Sequence, residues 1–276
     1  MPELPEVETV RRELEPWLTG RTIRRVQRVE APPGPKYHGL ERARGQRIEA
    51  VSRRGKFIVM PLSDGHELIV HLGMTGVLSH DANMSHVRVR LDLEGAGNAG
   101  AGAGVGVLYF KDPRRFGRFM LLAPGERVLL PTLAAIGPEP LEPEFTPAVL
   151  SAGLARASSA VKAVLLAQKA VAGVGNIYAD EALFRAGIHP ETPASSLSKA
   201  RVKRLHEAIV HVLEAGLSDG GTTLSDYRRV DGSSGEHAAA LLVYGREGQP
   251  CARCGRPLER IIVGQRSTTY CLRCQR

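Results

Sequence analysis

The sequence predicts an α+β chain in three parts: a β-sandwich domain entered through a helix, a helical domain, and a short cysteine-bearing hairpin. Three observations carry that expectation. Apolar residues alternate with period two through most of 22 to 122, they recur at helical spacing beyond 147, and all four cysteines stand in the last 26 residues as two C-x-x-C pairs. A chain of 276 residues fits roughly two domains on length alone, with the cysteine segment as an appendage.

The first helix follows from Pro5, suited to a first helical turn, and from Val7, Val10, Leu14 and Leu18 at helical spacing. Strands are then expected at 22–30, 56–62, 66–72, 86–93, 107–112 and 118–123, separated by turn residues. Residues 95–106 are a Gly/Ala run between two strand patterns, read as a flexible hairpin insertion. The Gly95, Gly97, Gly100 spacing within it imitates a dinucleotide fingerprint, but such a fingerprint must open a helix, and here a strand follows.

The Pro-dense stretch 137–147 reads as a linker. Beyond it, helices are expected near 147–170 and 177–186, and a long one carries Val202, Leu205, Ile209, Val212 and Leu213 on one face. The expected domains are 1–130, 131–238 and 239–276.

Charge narrows the partners. Lys and Arg exceed Asp and Glu by 37 to 29, a net charge of +8 that favours a polyanion such as nucleic acid. A hydrophobic content of 43% excludes a disordered or fibrous chain. No long uncharged apolar run exists and the start, MPELPEVETV, is acidic, so the expectation is an intracellular protein with no membrane partner.

Cys251, Cys254, Cys271 and Cys274 form C-x2-C-x16-C-x2-C, spacing that suits a four-thiolate zinc site. Four protein ligands leave no open position, so the expected Zn2+ is single and structural. Arg253, Arg256, Arg260, Arg266, Arg273 and Arg276 surround these cysteines, against one acid, Glu259. Such a cluster reads as a phosphate-binding device, or as a solvated basic face.

Loss of Met1 would make Pro2 a secondary amine beside Glu3 and Glu6. A chain-terminal amine keeps a larger neutral fraction near pH 7 than a lysine does. Condensed with an aldehyde carbon, a secondary amine gives a permanently cationic iminium, an electron sink suited to elimination. Two nearby carboxyl groups supply a proton carrier and an orienting group. The plainer reading is a charged helix N-terminus complementing the dipole.

PELPEVETV at 2–10, HLGMTG from His71, DPRRFG from Asp112, GVGNIYADEALFRAGIHP from Gly173, GGTTLSDY from Gly220, VYGREGQPC ending at Cys251 and GQRST in the cysteine segment together resemble the bacterial formamidopyrimidine-DNA glycosylases. The resemblance spans all three expected domains. Leu4 separates it from the endonuclease VIII type, which usually begins PEGPE and prefers oxidised pyrimidines. The other rival, a non-catalytic zinc-ribbon binder of nucleic acid, has no use for Pro2 followed by Glu3.

The resemblance implies a β-sandwich with flanking helices, a helix-two-turn-helix domain and a zinc-finger β-hairpin. It implies a monomeric base-excision repair glycosylase with lyase activity by β,δ-elimination, cytoplasmic and nucleoid-associated. The substrate implied is duplex DNA carrying formamidopyrimidines, 8-oxoguanine or abasic sites. By motif, Pro2 would be the nucleophile, Glu3 the acid, Glu6 the supporting carboxylate and Lys56 the lysine beside the lesion phosphate. Arg266 and Asn176 would grip phosphates, with Tyr244 and His71 as helpers. Met74, Arg114 and Phe116 would fill the space of the extruded nucleotide. His86 stands where the family has a DNA-contacting histidine pair, with Met84 at the other position. A loop that commonly reads DGKPGY, expected to be mobile and to close over the base, is here Asp231-Gly232-Ser233-Ser234-Gly235-Glu236. Its Lys and Tyr are absent.

Overall fold

The computed structural model describes residues 1–31, 34–97 and 106–276. Most of the Gly/Ala run, 98–105, lies outside them. The chain packs as two compact units, Met1–Ala134 with Asp219–Glu236, and Ala135–Ser218 with His237–Arg276.

The first unit begins with α1 (Leu4–Leu18), which opens on a capping box between Glu3 and Glu6 with a proline in its first turn. That box satisfies backbone donors that a helix start leaves unpaired. Val7, Val10, Leu14 and Leu18 are buried on one face, as their spacing predicts. Two antiparallel sheets follow. One runs β1-β6-β7-β5, from β1 (Thr22–Arg28), β6 (Val87–Glu94), β7 (Gly106–Lys111) and β5 (Val77–Ser79); the other runs β2-β3-β4-β8, from β2 (Ser52–Arg54), β3 (Phe57–Pro61), β4 (Glu67–His71) and β8 (Arg118–Leu122).

The core lies between these sheets. Ile58, Met60, Leu68 and Val70 from one meet Val89, Leu91, Leu108 and Phe110 from the other. The opposite face of β3 and β4 is buried too, since Phe57, Val59 and Ile69 pack with Leu130 and Leu133 of the segment leading through α2 (Pro131–Ala134). This corrects the period-two reading of 56–62 and 66–72. Covered on both faces, these strands need a nearly continuous apolar run rather than alternation. The three-residue strands β2 and β5 escaped notice because so short a segment holds no period.

Asp219–Glu236, counted by sequence with the helical domain, packs in the first unit. Tyr227 and Val230 enter its core, 6% and 5% exposed.

The second unit holds α3 (Pro147–Leu154), α4 (Val161–Leu166), α5 (Asn176–Ala186) and α6 (Lys199–Ser218). Gly216 lets α6 meet α5 closely, because a β-carbon there would lie 2.4 Å from Tyr178 Oη. The Pro-dense 137–147 stretch is packed rather than loose. Gly137 N–H donates to the Gln168 carbonyl at 2.7 Å, Ala172 N–H donates to the Pro138 carbonyl at 2.8 Å, and buried Phe145 stacks on His206. The hairpin β9 (Glu259–Val263) and β10 (Arg266–Tyr270) completes this unit, with Phe184, Val243 and Leu258 packed around Cys251 and Cys271. Among the described residues no helix is long and apolar enough to cross a membrane.

Candidate active site and nucleic-acid interface

Pro2, Glu3 and Glu6 gather at the start of α1, all buried, with Glu3 at 2% and Glu6 at 1% exposure. The Glu6 carboxylate accepts the Glu3 N–H at 2.7 Å through one oxygen and the Thr222 N–H at 2.7 Å through the other. Both Glu6 oxygens are thereby fixed by backbone donors. The group is oriented rather than mobile, and it ties α1 to the segment after α6.

Lys56 follows the turn between β2 and β3 and is 7% exposed. Arg53 holds that turn, donating to Glu8 Oε2 at 3.0 Å and to the Gly55 carbonyl at 3.0 Å. Glu8 belongs to α1, so the helix that presents Glu3 and Glu6 also anchors the turn presenting Lys56. His71, at the end of β4, packs its ring 4.8 Å from that of Phe57. Burial, with Lys56 and Arg118 nearby, pushes its pKa down to about 4. The imidazole is therefore neutral at physiological pH, a hydrogen-bonding group without charge.

The HLGMTG and DPRRFG turns form one structure. Buried Asp112 accepts the Thr75 hydroxyl at 2.6 Å on one oxygen and the Gly117 N–H at 2.6 Å on the other. The Arg114 N–H donates to Thr75 Oγ1 at 3.3 Å, and Arg88 Nε donates to the Asp112 carbonyl at 2.9 Å. This network holds Met74 half-buried and Phe116 outward, 48% exposed, with the Arg114 guanidinium 4.8 Å from the Phe116 ring centre. Lys36 Nζ donates to the Arg115 carbonyl. An exposed phenylalanine flanked by cations suits insertion between bases beside phosphates.

His86 is exposed, with a positive φ of 62°. Its carbonyl accepts the Asp112 N–H at 3.1 Å, which places it beside the same network.

In the second unit, Asn176 opens α5 and donates Nδ2–H to the Ser267 carbonyl at 2.9 Å, next to the exposed Arg266 at the hairpin tip. A helix N-terminus with a neighbouring arginine favours a phosphate. Tyr244 is positioned by Glu181 on α5, whose carboxylate accepts the N–H groups of Leu242, Val243 and Tyr244. Sequence reasoning missed this contact, and it missed the buried pair that docks the hairpin. Lys162 Nζ lies 2.6 Å from Asp180 and donates to the Ser267 carbonyl and to Thr268 Oγ1, while Asp180 accepts the Thr269 N–H.

The four cysteine sulfurs all lie within 4.8 Å of one another, with Cys251 and Cys274 at 4.0 Å and Cys254 and Cys271 at 3.5 Å. A zinc tetrahedron with Zn–S bonds of about 2.3 Å has edges of about 3.8 Å. The donor set fits one structural zinc.

The arginines around it divide. Arg266 is exposed at the tip, but Arg253 donates to the Phe184 and Arg185 carbonyls at the end of α5 and covers the Phe184 ring at 4.5 Å. Arg260 pairs with Glu247. Arg253 is thus a helix C-terminal contact rather than part of a phosphate-binding cluster, as expected for a cation at the negative end of a helix.

The loop expected to be mobile is tied down. Ser233 donates both its N–H and its hydroxyl to Asp231 Oδ1, Arg229 N–H donates to the Ser233 carbonyl at 2.9 Å, and Gly235 N–H donates to Thr223 Oγ1 at 2.9 Å.

Comparison with known proteins matches this chain to three family descriptions: the formamidopyrimidine-DNA glycosylase N-terminal domain over residues 1–119, the formamidopyrimidine-DNA glycosylase H2TH domain over 136–228, and a zinc finger found in FPG and IleRS over 248–276. A formamidopyrimidine-DNA glycosylase of Deinococcus radiodurans is 46% identical over 288 residues, covering 100% of this chain and 97% of its own. That of Thermus thermophilus is 46% identical over 277 residues, with 100% and 98% covered. Among solved structures, the MutM (Fpg) protein of Thermus thermophilus aligns with a TM-score of 0.89 at 45% identity over 99% of this chain and 98% of that one. A Lactococcus lactis Fpg in complex with abasic-site DNA aligns with a TM-score of 0.84 at 34% identity, with 99% of both chains covered.

Proposed function

The chain belongs to the formamidopyrimidine-DNA glycosylase family, DNA glycosylases of base-excision repair, and on that premise we propose that it excises formamidopyrimidines and 8-oxoguanine from duplex DNA and then cleaves the abasic strand by β,δ-elimination. The observation that carries this reading is the buried Pro2-Glu3-Glu6 group, with Glu6 fixed by two backbone donors. The capping box accounts for their hydrogen bonds at the helix start, but carboxylates are seldom so fully buried, and it is this burial that a proton-transferring site calls for.

With Met1 removed, the Pro2 nitrogen attacks C1′ of the extruded nucleotide as the glycosidic bond breaks and the base leaves with the bonding electrons. Glu3 protonates the sugar oxygen, the ring opens, and the nitrogen and C1′ share an iminium. That cation accepts electrons when a C2′ proton is lost, which expels the 3′ phosphate; a second elimination expels the 5′ phosphate. Lys56 stands beside the lesion phosphate, and Glu6 keeps Glu3 oriented. Arg266, Asn176, His71, Tyr244 and His86 hold the backbone, while Met74, Arg114 and Phe116 occupy the vacated stack. The Lactococcus relative in complex with DNA containing a benzylated formamidopyrimidine lesion, 34% identical over the whole chain, supports this substrate class.

The test is borohydride trapping on abasic-site DNA. The mature protein forms a covalent adduct; Pro2→Gly does so poorly, and a form that retains Met1 does not. Equal trapping by the form that retains Met1 would sink the proline reading.

A further inference from the structure

Arg88 stands on β6 with its side chain 3% exposed, and its guanidinium is met mainly by backbone. Nε donates to the Asp112 carbonyl at 2.9 Å, one terminal nitrogen donates to the Glu30 carbonyl at 2.7 Å, and the other reaches the Pro113 carbonyl at 3.5 Å. The carboxylate beside it, Glu30 Oε2, is 3.4 Å away on a side chain that is 62% exposed. A buried cation is costly unless its donors are satisfied. Here carbonyls from two loops satisfy them, so the buried charge joins the chain after β1 to the turn after β7.

That turn carries Arg114 and Phe116. On entry to it both backbone groups of Asp112 are held from β6, the N–H by the His86 carbonyl at 3.1 Å and the carbonyl by Arg88. The Asp112 carboxylate takes Thr75 and Gly117. Within the turn Arg115 has a positive φ of 57°, a left-handed conformation that a residue other than glycine keeps where its surroundings impose it. Phe116 is 48% exposed, so the direction of its ring follows the backbone of the turn.

We infer that Arg88 is a positioning residue for nucleotide extrusion: its buried guanidinium holds the turn that directs Phe116 into the base stack. The inference rests on the proposed glycosylase function and on the place of Phe116 within it. A side chain entering a stack works against an unstacking cost of a few kcal/mol per step. If the turn yields, that work bends the turn; if the turn is held beforehand, the ring arrives oriented and the work opens the stack. Buried as it is, the Arg88 charge meets no phosphate, so it serves the opening of the stack and not the attraction to the duplex.

The experiment compares wild type with Arg88→Lys, Phe116→Ala and the double variant. Lysine keeps the charge but offers one nitrogen to carbonyls that the guanidinium spans. Arg88→Gln, smaller and uncharged, repeats the comparison without an ammonium in the buried site. Two readouts are taken on a duplex carrying a formamidopyrimidine: single-turnover excision, and the fluorescence of a 2-aminopurine beside the base opposite the lesion, which brightens when unstacked. Arg88→Lys is expected to slow both excision and the fluorescence rise about tenfold, a change of about 1.4 kcal/mol in the barrier. Affinity for undamaged duplex should stay within about twofold of wild type, with the same salt dependence. In the Phe116→Ala background the same substitution should cost less than about twofold, because the ring it positions is gone.

Excision and fluorescence at the wild-type rate in Arg88→Lys and Arg88→Gln overturn the inference. Equal loss with and without the Phe116 ring also overturns it, since that pattern marks a general role in folding. Wild-type excision by Phe116→Ala overturns the wedge reading on which the inference rests. A wild-type protein inactive on the lesion overturns the glycosylase reading itself.

Discussion

Gly73 and Phe116 meet backbone to backbone: a β-carbon on Gly73 would lie 2.6 Å from the Phe116 carbonyl carbon and 2.5 Å from the Gly117 nitrogen, and Gly73 has a φ of +66°. The turn carrying Met74 and the turn carrying Arg114 and Phe116 are thus one rigid piece. Gly73→Ala must strain its backbone and push the second turn away. It should cost more than about 1 kcal/mol of stability, read by urea denaturation. It should also weaken binding to abasic-site DNA more than to undamaged DNA. A variant of wild-type stability and selectivity would show that the two turns are independent.

Salt dependence should separate two of the proposed phosphate contacts. Arg266 is charged at the hairpin tip, whereas the His71 imidazole, with its pKa near 4, is neutral at pH 7. Replacing Arg266 by Ala should reduce the slope of log affinity against log salt by about 0.9, the contribution of one phosphate neutralised. Replacing His71 by Ala should weaken binding and leave the slope unchanged. The same group predicts a pH effect on folding. A depressed histidine pKa means the unfolded chain binds a proton that the native one refuses, so His71 costs stability as pH falls from about 6.5 to about 4. His71→Phe should flatten stability in that window, and equal acid profiles for the two proteins would refute the assignment.

The proposed site residues could be named from sequence because motifs hold them at fixed positions, and the cysteine spacing needed no partner to be read. The residues that orient them could not. Glu6 and Thr222 are 216 positions apart, Lys162 and Ser267 are 105 apart, and no periodicity encodes such pairs. The placement of 219–236 was hidden for a related reason. Its apolar anchors, Tyr227 and Val230, are too few to show a pattern, and only the completed sandwich offers them a core. Arg253 shows the converse limit, since a basic residue near zinc ligands looks the same in sequence whether it meets a phosphate or a helix end.

Zinc should hold more than its own hairpin. Arg253, between two ligands, closes the end of α5, and Cys251 and Cys271 pack against Phe184. A chelator should remove one zinc per chain and abolish DNA binding, with the β-sandwich signal in circular dichroism retained. Arg253→Ala should release zinc to the chelator faster than Arg256→Ala, because only the first breaks the link to α5. Identical release rates would place the two arginines in the same role.

A lesion preference is predicted from the 231–236 loop, if the loop closes over the base as the resemblance implies. Where the resemblance implies Lys and Tyr, this chain has Ser233 and Glu236, and the Ser233 hydroxyl is committed to Asp231 Oδ1 at 2.6 Å. The loop therefore offers a base its backbone groups and few side-chain donors. Each hydrogen bond lost to a buried polar group costs about 1 to 3 kcal/mol, and 8-oxoguanine, an intact bicyclic base, differs from guanine by few polar atoms. A ring-opened formamidopyrimidine differs in shape and flexibility, so its recognition depends less on contacts from this loop. The hypothesis is that the protein excises formamidopyrimidines faster than 8-oxoguanine, and that Arg114, exposed beside Phe116, favours cytosine over adenine opposite the lesion. Single-turnover excision of both lesions against both partner bases measures this directly. Ser233→Lys should narrow the gap by raising the 8-oxoguanine rate. Faster removal of 8-oxoguanine by the natural sequence would mean that backbone groups alone suffice to read it.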